Sequence, residues 1–258
     1  MKRSLYITMF TIIFLVSACS GSQTIATEAN STNTPEPPTA TLPPTKTPTA
    51  TPDSTATIMA QSTQEAEEVI TEVDKLLSDT DIPYKNGHLA WQQSESIAIN
   101  MTGPSRSATI KEIDQNVKAD NFIFKSDVTW EASGWMFCGS IFRSESNIKT
   151  GKQYQFYFLR LSGLPIWYID VFEHGMFKST ISKEQKSREI DMDNGAVNQF
   201  VLVAEDEKFT VYFNGIRQGR FFDNSKQREE GSFGFFAWQE SGSGSCKFEN
   251  SWVWALDK

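Results

Sequence analysis

Across residues 122–131, FIFKSDVTWE, apolar and polar side chains alternate. Phe122, Phe124, Val128 and Trp130 fall on one side, and Lys125, Asp127, Thr129 and Glu131 on the other. That period of two predicts a strand with one buried face. The reading continues through the rest of the chain from Asn86. In KFTVYFNGIRQGRFF, Asn214-Gly215 stands between two strand-like runs, and Asn-Gly supplies the two positive φ values of a type I′ hairpin. NQFVLVAE, turned at Asp206-Glu207, precedes it, so residues 198–222 are predicted to form a three-strand meander. YQFYFLRLSGLPIWYIDVFEHG predicts two more strands around Ser162-Gly163-Leu164-Pro165, with His174 in a hairpin turn. FGFFAWQ and CKFENSWVWAL predict the last two, and the even spacing of Phe248, Trp252 and Trp254 places all three on one core face. Short strands punctuated by turn residues predict an all-β sandwich.

Upstream the period changes. Over residues 57–77, Ala66, Val69, Ile70, Val73, Leu76 and Leu77 recur at three and four positions, the spacing of one helix face. The segment 58–82 is therefore an expected amphipathic helix, docked on the domain or frayed. Self-association is the alternative, but the segment offers only about two heptads where three or four are wanted. Residues 19–57, with TPEPPTATLPPTKTPTATP at their centre, have no apolar period and are expected to form an extended, disordered linker.

The first residues, MKRSLYITMFTIIFLVSACSGS, read as a signal peptide over 1–18: a cationic start, an apolar run, and small residues ending at Cys19. The run is shorter than the roughly 18 apolar residues that span a bilayer. Cys19 is then the expected lipidation site, with the palmitate-type acyl anchor and extracytoplasmic location of a lipoprotein. Two cysteines remain, Cys138 and Cys246, an even count in a compartment that permits disulfides. A bridge between them is expected, with two separate buried thiols as the alternative.

A net charge of −8 lacks the basic footprint of a nucleic-acid binder and disfavours anionic polymers. With only His88 and His174, a multi-histidine metal centre or a Ser-His-Asp arrangement has little to draw on. SGSGSC lacks the lysine and spacing of a phosphate-binding loop. No cofactor is implied.

The succession NFIFKSDVTW, GSIFRSE, QFVLVAEDEKFTVYFNGIRQG, GSFGFFAWQ and CKFENSWVWAL resembles the concanavalin A-like lectin and glucanase superfamily, nearest its laminin G-like and 3-keto-disaccharide-hydrolase-like domains. The resemblance covers residues 86–258 and implies a two-sheet jelly roll whose concave sheet commonly holds carbohydrate. It also implies that the early and final strands are neighbours in one sheet, so that a Cys138–Cys246 bridge would fasten the C-terminal strand.

EIDMD at 189–193 is similar to the EIDIE-type motif of family 16 glycoside hydrolases. Retaining hydrolysis needs two carboxyl groups about 5–5.5 Å apart. Here Glu189 and Asp191 keep the first two places, Asp193 shortens the last, and Asp193-Asn194-Gly195 signals a turn where the motif needs a strand. A polar strand end is the better reading. Asp191, Asp193 and Asn194 lack the ligand spacing of a calcium loop. Sugars pack apolar faces on aromatic rings and hydrogen-bond to polar side chains beside them. Arg143, Trp167, Asp170, Trp238 and Glu240 are therefore the candidate ligand-binding residues, with core packing of the tryptophans and structural pairing of Arg143 as the alternative. The expected function is a non-catalytic glycan-binding module on a membrane tether. A glycoside hydrolase or related sugar-processing enzyme using Glu189, Asp191 or Glu240, and a protein-interaction or sensory ectodomain, are the other readings.

Overall fold

The computed structural model describes residues 54–257, apart from 79, 106 and 162–163. The expected signal peptide, Cys19 and the linker up to residue 53 lie outside the described residues. A helix, α1 (Ser54–Leu77), leads through a short 3-10 turn (Tyr84–Asn86) into fourteen strands. The first seven are β1 (Gly87–Gln92), β2 (Ile97–Met101), β3 (Thr109–Glu112), β4 (Phe122–Ala132), β5 (Met136–Ser144), β6 (Gln153–Leu161) and β7 (Leu164–Glu173). The others are β8 (Met176–Thr180), β9 (Gln185–Lys186), β10 (Val197–Glu205), β11 (Lys208–Phe213), β12 (Ile216–Phe222), β13 (Ser232–Gln239) and β14 (Gly244–Leu256).

The strands form two antiparallel sheets. Sheet A runs β1-β14-β4-β10-β11-β12 with β2 also on β14, and sheet B runs β3-β13-β5-β6-β7-β8 with β9 on β7. Alternation decides what lies between them. Phe122, Phe124, Val128 and Trp130 of β4 meet Phe156, Phe158, Phe233 and Phe235 from sheet B in one aromatic core. The 198–222 meander is present as β10-β11-β12, and both Asn214 and Gly215 have positive φ, 48° and 80°, as the hairpin requires. His174 and Gly175 turn the β7–β8 hairpin in the same way, with φ of 53° and 71°.

Helix α1 lies on the outer face of sheet A. Val69, Val73 and Leu77 are buried against Ile123, Val201, Val203, Tyr212, Trp252 and Trp254. This explains the unbroken apolar run of β10: Phe200, Leu202 and Ala204 face the core, while Val201 and Val203 lie under the helix. Two polar contacts fix the docking, from Trp252 Nε1 to Glu72 at 2.8 Å and from the buried Lys125 to Glu72 at 3.2 Å. The helix ends at Leu77 rather than 82, where Thr80 takes over: its amide and hydroxyl both bond the Leu77 carbonyl.

Two expectations about β14 are corrected. Phe248 faces the inter-sheet core, but Trp252 and Trp254 face the helix. The register of β14 on β4 shifts between Glu249 and Trp252, with Asn250 at a φ of 48°. An extra residue in a strand moves everything beyond it to the opposite face. The disulfide between Cys138 and Cys246 is present, but it joins sheet B to sheet A rather than neighbours in one sheet. Both cysteines belong to the inter-sheet core.

Candidate functional site

With sheet A covered by α1, the outer face of sheet B is the open side of the sandwich. Strand register sets its pattern. Across β3, β13, β5, β6 and β7, one row reads Ile110, Phe236, Gly139, Tyr157 and Tyr168. Gly139 is where the row becomes continuous: a Cβ there would meet the Phe156 carbonyl, Tyr157 Cβ at 2.6 Å and Phe236 Cε1 at 2.8 Å. Without it, the Tyr157 and Phe236 rings close to 6.0 Å, and Tyr157 stacks on Tyr168 at 5.4 Å. On one side of the row, Trp238 stacks on Phe137 at 4.9 Å, and its indole N–H donates to the Ser105 carbonyl at 2.9 Å. On the other side, Ile141, Gln155, Asp170 and Thr180 form a more polar row, followed by Gln153, Phe172 and Phe177.

Phe236, Tyr157, Trp238, Phe137, Gln155 and Phe172 line a groove of about 360 Å³, which Lys149 and Gly175 also border. It combines aromatic faces with a few convergent polar groups, the composition typical of small-molecule sites. Phe177, 57% exposed on the β7–β8 hairpin, extends the apolar surface outward. Asp170 is only 3% exposed and receives the Tyr157 hydroxyl on Oδ2. Burial pushes its carboxyl above the ordinary range, partly offset by hydrogen bonds from Thr180 and Tyr157. Burial, reinforced by the neighbouring Asp170 charge, likewise raises the Tyr157 phenol, so this hydroxyl stays a donor at neutral pH.

Of the five residues singled out in the sequence, two belong to this face, Trp238 lining the groove and Asp170 three strands away beneath it. Trp167, one residue out of phase with Tyr168, points into the core, 1% exposed against Phe156 and Phe221, and has no face to offer a ligand. Arg143 is also 1% exposed and lies at the far end of β5, bonded to the Asp120 carbonyl through Nε at 2.9 Å and through Nη2. Glu240 sits exposed in the β13–β14 turn, its amide on the Trp135 carbonyl, outside the groove. Tyr157, Phe137, Phe236 and Gln155 went unrecognised because their alignment depends on cross-strand register.

The EIDMD segment is loop, not strand. Asn198 bonds both the amide and the carbonyl of Asp191, Asn214 bonds the Glu189 carbonyl, and Asn194 receives the Ala132 amide. Ile190 anchors the loop in the core, and Glu189, Asp191 and Asp193 point to solvent away from the groove. Among the described residues, no group of three or more His, Cys, Asp or Glu side chains is placed to hold a metal ion. No described helix is long and apolar enough to cross a membrane.

No protein-family model and no curated protein matches the chain. Solved structures do. A carbohydrate binding module from Bacillus subtilis superposes with a TM-score of 0.47 at 20% identity, over 61% of this chain and 94% of its own. A beta-glucanase from Bacillus licheniformis gives 0.40 at 7% identity, over 63% and 79%. Sheep galectin-11, in complex with glycerol, gives 0.36 at 8% identity, over 55% and 98%. These are likenesses of fold. By its own two facing antiparallel sheets, the domain is an all-β antiparallel sandwich.

Proposed function

We propose that this protein is an extracytoplasmic lipoprotein, tethered through Cys19, whose sandwich binds carbohydrate on the outer face of sheet B. One observation carries the binding reading: a row of rings, Phe236, Tyr157 and Tyr168, runs across the strands between Trp238–Phe137 on one side and Gln155–Asp170 on the other. Such a lattice presents apolar faces to the C–H surfaces of sugar rings and polar groups to their hydroxyls. The Tyr157 hydroxyl donates to Asp170 Oδ2, so these two side chains are held in place before a ligand arrives. Preorganisation of this kind reduces the ordering cost of binding. The tether rests on the N-terminal sequence, and the inter-sheet disulfide fits an oxidising compartment.

A glycan array probed with the purified protein tests the reading. Binding to neutral oligosaccharides is expected, weakened at least about tenfold, or roughly 1.4 kcal/mol, by Trp238→Ala or Phe177→Ala. Binding that neither substitution changes would remove the face from consideration. For the tether, Cys19→Ala should release the protein from membranes and abolish labelling by radioactive palmitate.

A further inference from the structure

At the pole of the sandwich where β4 begins and β5 ends lies a second cavity, of about 540 Å³. It falls within the ~300–1,000 Å³ range of small-molecule pockets. Arg143 lies at its buried base. Its guanidinium packs over the Phe209 ring at 5.2 Å, and its Nη1 donates to the Arg228 carbonyl at 3.4 Å, in addition to its two bonds to Asp120. Those three bonds use three of the five N–H hydrogens of a guanidinium. In return, Arg228 Nε donates to the Arg143 carbonyl at 3.2 Å.

The wall beside it, the β12–β13 connection, is fixed from beneath. The buried Asp223 takes the Tyr154 hydroxyl, the Ser225 hydroxyl at 2.6 Å and the Gln227 amide at 2.7 Å. Tyr154 in turn accepts the Arg228 amide at 3.0 Å. The lining is thus built in advance, and it is polar almost throughout. Its only aromatic residue, Tyr154, is buried, so the cavity offers no ring face for stacking.

The charges interleave. Arg143, Lys226 and Arg228 stand among Asp120, Asp206, Glu207, Glu229 and Glu230, and Lys226 pairs with Glu207 at 3.7 Å. An anion entering here would meet the carboxylates, and a cation would meet the arginine at the base. Hydroxyl groups, which donate to carboxylates and accept from guanidinium, suit both sets. We propose that this cavity is a second binding site, which takes the terminal residue of an uncharged sugar end-on, held by polar contacts alone. The site does not depend on the sheet B face, because no residue lines both cavities.

Backbone amide NMR of the purified protein, titrated with methyl glycosides of glucose, galactose, mannose and fructose, tests the site, with glucuronate and glucosamine as charged controls. At least one neutral glycoside should shift the amides of Asn121, Gln227 and Arg228 saturably. Arg143→Lys, which keeps the charge but loses the fork, should weaken that binding at least tenfold, and the exposed substitutions Lys226→Ala and Glu229→Gln should weaken it severalfold. Trp238→Ala should leave it unchanged, which separates failure here from failure on sheet B. If Arg143→Lys lowers folding stability too far to be studied, the two rim substitutions decide. The proposal is overturned if no neutral glycoside shifts these amides, if only a charged control does, or if both rim variants bind as the wild type.

Discussion

Removing the covalent link between the sheets gives the sharpest stability prediction. Cys138 and Cys246 lie 108 residues apart, and both are fully buried between sheets A and B. A bridge over a loop of about a hundred residues restricts the unfolded chain by about 4.7 kcal/mol in the loop-entropy model. For a domain of this size, that corresponds to a fall in Tm of roughly 10–20 °C when the link is lost. Two perturbations separate the link from the packing of its sulfurs. Cys138→Ala/Cys246→Ala removes both. Refolding the wild-type protein under reductant breaks only the link and keeps the sulfurs. Urea unfolding followed by circular dichroism should show nearly the same large loss in each, with the alanine variant lower by only a further ~1–2 kcal/mol for the vacated space. The reduced chain should also show a steeper denaturant dependence, because its unfolded state is more expanded. A reduced protein within about 1 kcal/mol of the oxidised one would refute the reasoning, and would mean that the aromatic core alone restrains the sheets.

Other consequences are open to direct measurement. Gly139→Ala brings a methyl against the backbone of β6, which cannot swing away, so thermal melting should fall by several degrees and binding on sheet B should be lost with it. Val73→Ala removes two methyl groups from the fully buried seam between α1 and sheet A and should cost roughly 2–3 kcal/mol in denaturant unfolding. Asp170 has a folded-state pKa raised mainly by burial, so its protonated form favours the fold and its contribution declines as pH rises from the unfolded value near 3.8 through the higher folded one. Asp170→Asn should therefore flatten the pH dependence of Tm above pH 4, and an unchanged slope would count against the burial argument. Tyr154 and Tyr157 are likewise raised above 10.0, chiefly by burial, so stability should fall as pH climbs past about 10, visible as phenolate absorbance appearing only with unfolding.

Much of the architecture was legible in local pattern. Alternation marked β4, Asn214-Gly215 marked its hairpin, and the three-and-four spacing from Ala66 to Leu77 marked the helix. What escaped was whatever depends on strands meeting. The groove is a set of rows across five strands, and no window of sequence contains Phe236, Gly139 and Tyr157 together. Trp167 is a different case: in PIWYID the alternation itself separates Trp167 from Tyr168 and Asp170, so the sequence held the signal that assigns it to the core. The shift near Asn250 had no such signal, because a bulge leaves the spacing of Phe248, Trp252 and Trp254 looking regular while it reverses the last two. Arg143 is bonded to the backbone carbonyls of Asp120 and Arg228 at the far end of β5, a placement that depends on loops distant in the sequence.

The reversal in β14 has a consequence for how the chain matures. Because Trp252, Trp254 and Leu256 form part of the landing surface for α1, that surface is complete only once β14 has joined sheet A. Until then part of the apolar stripe on the helix stays uncovered. A chain clipped before Trp252 would bury it only in part, against Ile123, Val201, Val203 and Tyr212. Docking of α1 thus couples the element that precedes the sandwich to its last strand, β14.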